Sequence, residues 1–211
     1  MAHVHTRLAG LSKRRFPDIL LFGVTVGELA VLIVLTPGFT ATDWIYVSQH
    51  LVVLAIALTR PAPLAQDSSP ITILALVVSY AYPCAQVIYV GWVPGEVAWP
   101  TGGFILVALA ACLSFASLLY LGRLFGIRPA LRGLMTKGPY RLVRHPMYLA
   151  YVLSDIGYNF QEWNSGTALM VLAGWASLFH RVRAEERVLS QHPRWPAYAA
   201  SVRYRLLPGL W

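Results

Sequence analysis

The sequence predicts an all-α fold, a polytopic transmembrane bundle of five to six helices with both termini in the cytoplasm. Of its 211 residues, 57% are hydrophobic and only 12% are charged, too few polar residues to cover a soluble globule of this size. Positive charge is also one-sided, because all 17 Lys and Arg residues avoid the connections at residues 37–43, 91–100 and 159–164. Basic segments tend to stay in the cytoplasm, so these three connections are predicted to face outward.

Six apolar runs supply the predicted helices. In chain order they cover residues 17–36, 44–59, 71–90, 101–125, 147–160 and 166–181. A crossing helix needs roughly 20 residues; the second and fifth runs are shorter, and the last two can instead form a hairpin that does not fully span. The runs lack the alternation of a barrel strand, so strands are not expected. Four tryptophans at the predicted outer boundary match an interfacial belt, namely Trp44, Trp92, Trp99 and Trp163.

Residues 1–211 are predicted to form a single membrane domain, since no repeat or low-complexity tract divides them. The first run follows three basic residues at 13–15 but lacks a small-residue cleavage pattern, so it is expected to be retained. Orientation and anionic lipid headgroups account for the net charge of +8, so membrane lipids and not nucleic acid are the expected partners. Cys84 and Cys112 lack metal-site spacing, and no metal is predicted. The Ala, Leu and Arg bias is compatible with a bacterial inner membrane.

The stretch at residues 137–148 is the most unusual in the chain. A turn at 138–139 precedes Pro146, which suits the first turn of a helix because its missing N–H costs nothing there. Arg144 and His145 then stand at a helix N-terminus, where free amides favour an anion. The alternative is an ordinary basic loop beside the membrane.

A second unusual stretch follows at residues 181–189. Arg181 and Glu185 are four residues apart and share a helix face, whereas Glu186 points roughly 100° away. Two adjacent carboxylates interrupt an otherwise basic side of the molecule. The alternative is a solvated helix end held by ion pairs worth a few tenths of a kcal/mol.

Glu28, His50 and Asp155 lie well inside apolar runs, where charge is costly. Asp155 lies seven residues beyond Tyr148, on the same side of the fifth predicted helix. It is expected either to serve the site above it or to make an interhelical hydrogen bond. Glu28 and His50 are expected to be structural.

Together the two stretches resemble the isoprenylcysteine carboxyl methyltransferase and phospholipid methyltransferase group of membrane enzymes. Residues 138–148 match the GxYxxxRHPxY signature of that group. The later RxxxEExxL…Y…P pattern is matched in order by Arg181, Glu185, Glu186, Leu189, Tyr198 and Pro208. The resemblance places N-terminal helices at residues 1–120 and a methyltransferase-like core with the cofactor site at residues 121–211.

The resemblance implies methyl transfer from S-adenosylmethionine to a lipophilic acceptor at the cytoplasmic face. It implies a cofactor site formed by Tyr140, Arg144, His145, Pro146, Tyr148, Glu185 and Glu186. Arg181 and Glu185 are the predicted catalytic residues, Arg181 orienting an acceptor and Glu185 acting as base if the acceptor is an amine. Predicted substrate-binding residues are Arg181, Tyr198 and Arg203. The acceptor stays open among a prenylcysteine-like carboxyl, a lipid amine, a thiol and another lipid.

Two other functions remain possible at this level. Membrane sterol and steroid reductases carry a similar loop but bind reduced nicotinamide, and the Glu-Glu pair at 185–186 fits the methyltransferase pattern better. A non-enzymatic transporter is the second alternative. It would line a path through the membrane midplane with polar residues, whereas here they cluster at the cytoplasmic end.

Overall fold

The computed structural model describes residues 23, 25–34, 38–207 and 209. The basic arm before the first helix, the ends of the first predicted run and Pro208 lie outside the described residues. The α-helices in chain order are α1 (Thr25–Val34), α2 (Ala41–Thr59), α3 (Pro70–Trp92), α4 (Pro100–Leu121), α5 (Pro146–Gln161), α6 (Ser165–Leu189) and α7 (Trp195–Ser201). Two 3₁₀ turns cover Gly122–Leu124 and Gly138–Arg141, and two short strands are β1 (Ala65–Gln66) and β2 (Ala130–Leu131).

The helices α2 to α5 begin and end within about four residues of the predicted runs. Helix α6 differs, because it continues eight residues beyond the predicted end at 181 and carries the whole second stretch. The expectation of no strands is wrong for β1 and β2, which pair antiparallel. Strands of two residues are too short for a periodic pattern, and contacts distant in sequence create them: the Leu64 amide donates to Leu131 O at 2.8 Å.

Local capping explains where the first long helices begin. Thr40 and Asp43 form a capping box at α2, each side chain accepting from the other residue's amide. Ser69 caps α3 by accepting from the Thr72 amide, and Pro70 occupies the first helical turn. These contacts satisfy amides that the helix itself leaves without partners.

The helices pack in two main pairs, α4 against α5 and α3 against α6. Polar contacts also join α3 to α6, with Ser79 and Ser177 Oγ atoms 2.7 Å apart. Asp155 on α5 accepts from Tyr82 at 3.0 Å and from the Trp175 indole at 2.8 Å. The interhelical alternative for Asp155 is therefore confirmed as a contact, and such bonds hold helices together where water is scarce.

Gly103 and Gly157 bring α4 and α5 into backbone contact. A Cβ on Gly157 would lie 2.7 Å from the carbonyl oxygen of Gly103, and a Cβ on Gly103 would lie 2.5 Å from that of Gly157. Backbone carbonyls inside helices cannot move aside cheaply. We therefore expect Gly157→Ala to lower stability by about 1–3 kcal/mol, measured as the thermal unfolding midpoint in detergent. Gly91→Ala is the control, because nothing lies within 4 Å of its added Cβ.

Two of the connections that are predicted to face the same side of the membrane lie next to each other. Glu96 and Trp163 pair through two backbone hydrogen bonds of 2.7 and 2.8 Å, which joins two of the predicted outer connections. At the opposite end, Arg123 donates to the carbonyl of Thr59, the last residue of α2, and Arg132 donates to that of Pro61 in the α2–β1 connection. Helices α3 and α4 are long and apolar enough to cross a membrane.

The buried ionisable pair Glu28 and His50 joins α1 to α2. Oε2 of Glu28 lies 3.0 Å from Nε2 of His50, and both side chains are largely buried. The other ring nitrogen of His50 faces the carbonyl of Tyr46, one turn earlier. This contact fits the expectation that both residues are structural.

Candidate active site

A pocket opens between the two stretches that the sequence singles out. Its walls are the segment around the second 3₁₀ turn with the start of α5, the last turns of α6, and residues 122–137, called the connector below. The polar lining residues are Arg128, Tyr140, Arg144, His145, Tyr148, Tyr151, Arg181, Glu185 and Tyr198. The cavity volume is about 60 Å³. One water needs roughly 10–15 Å³ of such volume, so the cavity has room for a few waters. A larger ligand must therefore widen it.

Glycine and proline shape the wall that precedes α5. Gly138 has φ of +58°, a conformation that residues with a Cβ rarely adopt. An added Cβ there would also meet the ring of Tyr120. Pro146 begins α5 directly after His145. The wall is thus fixed at both ends, which holds Tyr140 buried against the pocket.

Arg181 is the most deeply placed cation of the pocket, with 6% of its surface exposed. Its Nη2 donates to Ile127 O at 3.1 Å. The guanidinium also lies 5.3 Å from the ring centre of Tyr148 and 5.8 Å from that of Tyr80. Its Nε–H is buried without a hydrogen-bond partner among the described residues. A buried donor left in this state is costly, which marks it as a candidate contact for a ligand.

Glu185 faces the same cavity one helical turn later. The Tyr148 hydroxyl donates to its Oε2 at 2.9 Å. Tyr148 is itself buried among Leu178, Val182 and Leu206, so its hydroxyl holds the carboxylate in one orientation. Among the described lining residues, Glu185 is the only acid.

Glu186 points away from the cavity and contacts three basic side chains. Its Oε1 accepts from Arg144 at 2.9 Å and lies 3.4 Å from Nε2 of His145, while Oε2 accepts from Arg205 at 2.8 Å. Partial burial favours the protonated acid, but the bonds from His145, Arg205 and Arg144 outweigh it and lower the pKa of Glu186 to about 2. The carboxylate is therefore ionised throughout the neutral range.

Arg144 uses its guanidinium to hold the C-terminal tail. Besides its bond to Glu186, it donates to Val202 O at 2.7 Å and to Ala199 O at 2.9 Å. The backbone continues the contact, because the Arg144 and His145 amides donate to the carbonyls of Tyr204 and Arg205, each at 2.9 Å. The amides of Arg144 and His145, at the helix end that is predicted to favour an anion, therefore already donate hydrogen bonds to the tail.

Helix α7 places a further tyrosine at the pocket. The Tyr198 hydroxyl donates to Tyr140 O at 2.8 Å, and Tyr198 packs with Trp195 and Val202 in a small buried cluster. Burial raises the pKa of both Tyr140 and Tyr198. Both hydroxyls therefore stay protonated and serve as donors at neutral pH.

Comparison with known proteins identifies the segment that carries the pocket. Residues 102–191 match the isoprenylcysteine carboxyl methyltransferase (ICMT) family. The chain carries an ICMT-like domain. No curated protein matches the chain. The match covers somewhat under half of the chain, and with two helices long and apolar enough to cross a membrane it is the pattern expected of a membrane methyltransferase.

Most of the predicted site residues meet at this ICMT-like pocket, and three do not. Pro146 is buried behind the lining, Glu186 faces the ion-pair network, and Arg203 is exposed on the tail. The residues that do line the cavity are Tyr140, Arg144, His145, Tyr148, Arg181, Glu185 and Tyr198. The individual roles of all ten residues stay predictions.

Sequence reasoning missed two polar lining residues, Tyr151 and Arg128, which lie outside the predicted signature. Tyr151 lies three residues beyond Tyr148, so helical spacing could have placed it at the pocket. Without the fold, an aromatic residue at that spacing is more readily assigned to helix packing. Arg128 lies in the connector, where no periodic pattern indicates which way a side chain points. Only the folded chain brings it to the cavity.

Proposed function

We propose that this protein is an integral membrane methyltransferase that transfers a methyl group from S-adenosylmethionine to a lipophilic, anionic acceptor. The supporting observation is the pocket between the two matched stretches, where Arg181 presents a buried N–H without a partner beside the carboxylate of Glu185. A transferase for lipophilic acceptors needs such a polar site at the end of an apolar bundle.

The residues present fit the chemistry of the methyl donor. S-adenosylmethionine carries a carboxylate, an ammonium group, ribose hydroxyls, an adenine ring and a sulfonium. Glu185 can accept from the ammonium or the ribose hydroxyls, Tyr140 can stack on the adenine, and unpaired guanidinium N–H groups suit the carboxylate. When bound, the cofactor supplies an electrophilic methyl group on its positively charged sulfur.

The chain's own residues would position the acceptor and exclude water. Ile127 O and the two flanking tyrosine rings hold the Arg181 guanidinium in place, and its buried Nε–H has no hydrogen-bond partner among the described residues. Apolar lining residues such as Phe125 and Met147 keep the site dry, which strengthens attraction between opposite charges. Much of the acceleration can then come from holding the two reacting atoms in line.

The charges at the pocket favour an anionic acceptor over an amine. Glu186 forms an ion pair with Arg144 and so offsets its charge. Among the described lining residues, the positive charges of Arg128 and Arg181 are then offset only by the carboxylate of Glu185. A cationic methyl donor would add to this excess of positive charge, and an anionic acceptor would offset it. An amine acceptor would instead need Glu185 as base.

The proposed placement puts the pocket at the cytoplasmic end of a bundle of five to six crossing helices. Helices α3 and α4 have the length and composition to cross. The remaining crossings and the cytoplasmic position of both termini rest on the one-sided distribution of Lys and Arg. This topology can be checked by labelling single cysteines placed in the connector and beside Trp163 from either side of the membrane.

Transfer of isotopic label tests the function directly. We expect detergent-purified protein, incubated with methyl-labelled S-adenosylmethionine and a total lipid extract, to yield a labelled lipid with a base-labile methyl ester. A labelled amine would overturn the anionic acceptor. No labelled product, together with calorimetric binding of reduced nicotinamide, would favour the reductase; binding of neither cofactor would favour the transporter.

A further inference from the structure

Arg128 is an unexplained cation at the pocket. It lines the cavity, and its Nε is buried without a hydrogen-bond partner among the described residues. Every other guanidinium of the lining has a partner for at least one nitrogen: Arg144 binds Glu186 and two carbonyls, and Arg181 binds Ile127 O. A buried donor without a partner costs roughly 1–3 kcal/mol. Such a group in a folded protein calls for a functional explanation.

The backbone on both sides of Arg128 is held in place. Ile127 O accepts from Arg181, and Pro129 O accepts from the Asp67 amide at 2.9 Å. The pairing of β2 with β1 follows immediately. Arg128 is therefore presented to the cavity from a fixed segment, one residue from the carbonyl that anchors Arg181.

Two guanidinium groups at one cavity, each with a free buried N–H, form an anion site. The only acid of the lining, Glu185, is held by Tyr148. Arg144, which is predicted to lie in the cofactor site where an anion is favoured, is committed to Glu186 and the tail. We propose that Arg128 takes that role and binds the carboxylate of the methyl donor, while Arg181 is left for the acceptor. The inference rests on the proposed function.

Calorimetry with two probes that differ in the carboxylate tests the assignment. S-adenosylhomocysteine carries the amino-acid group, and 5′-methylthioadenosine lacks it. For Arg128→Gln we expect the Kd of S-adenosylhomocysteine to rise roughly 10- to 100-fold, the range of a charge-assisted hydrogen bond. The Kd of 5′-methylthioadenosine should stay within about twofold, and Arg128→Lys should be intermediate because it keeps the charge but loses the planar fork.

Stability separates binding from a structural role. Because the Arg128 guanidinium makes no hydrogen bond or ion pair among the described residues, Arg128→Gln should unfold at the same temperature as the parent or higher. Arg141→Gln is the matched control, since Arg141 is exposed and outside the pocket lining. It removes the same charge and should change neither Kd.

Three outcomes would overturn the assignment. Equal weakening of both probes would show a general loss of the pocket. An unchanged Kd for S-adenosylhomocysteine with a raised KM for the lipid acceptor would assign Arg128 to the acceptor's anion instead. If the parent binds neither probe, the proposed function fails as well, whereas parent binding with an unaffected Arg128→Gln variant removes only this inference.

Discussion

Arg181→Met is expected to lower methyl transfer about 100-fold or more, the usual cost of removing a donor aimed at a reacting group. The guanidinium is 6% exposed, anchored at Ile127 O, and has a free Nε–H at the cavity. Methionine fills similar space without presenting any donor. The effect should fall on the KM of the acceptor, because the acceptor loses its partner, while S-adenosylhomocysteine binds within about threefold of the parent.

Two further variants make the Arg181 result specific. Arg181→Lys keeps the positive charge but lacks the planar guanidinium, so it should retain part of the activity that Arg181→Met loses. Arg183→Gln removes a charge from the same helix at an exposed position outside the lining, and it should transfer at the parent rate. Transfer by Arg181→Met at the parent rate, with the fold intact, would show that Arg181 has no role in the reaction.

Glu186→Gln is expected to destabilise the protein by about 3 kcal/mol, the free energy that corresponds to its lowered pKa. The substitution leaves Arg144 without its carboxylate partner, and only 13% of the Arg144 side chain is exposed. A cation left unpaired in such a place costs more than an exposed one. The thermal midpoint should fall by roughly 5–10 °C.

The pH dependence of the stability follows from the lowered pKa of Glu186. Folding lowers the pKa of Glu186 from its ordinary value of 4.5 to about 2. The carboxylate therefore stabilises the fold fully above about pH 4.5, and this contribution is lost as the pH falls towards 2. The difference in midpoint between parent and Glu186→Gln should consequently narrow as the pH is lowered from 6 to 3.

A double-mutant cycle tests whether Glu186→Gln loses stability because its interaction with Arg144 is lost. Once Glu186 is glutamine, Arg144→Gln should cost less than it does in the parent, because the interaction is already absent. Glu162→Gln, at the opposite end of the molecule, is the matched control for removing a carboxylate and should have little effect. Equal costs of Arg144→Gln in both backgrounds would contradict the proposed network.

The helices and the location of the site could be predicted from sequence because their causes are local or compositional. Long apolar runs give helices wherever the backbone must satisfy its own hydrogen bonds, and α2 to α5 follow them closely. The signature residues Tyr140, Tyr148 and Glu185 do meet at one cavity. Spacing along a helix also placed Arg181 and Glu185 on the same face.

The tertiary structure alone decided which charged groups are free to bind a ligand. Helical spacing separates Glu185 from Glu186 by roughly 100°, but it cannot show that Glu185 faces the cavity while Glu186 is bound by Arg144 and Arg205. It also cannot reveal that a connector without periodicity brings Arg128 to the pocket. Side-chain partners depend on contacts between segments distant in sequence, whereas helix formation depends on neighbours along the chain. The sequence thus determined where the pocket forms, and the fold determined which of its charges remain unpaired.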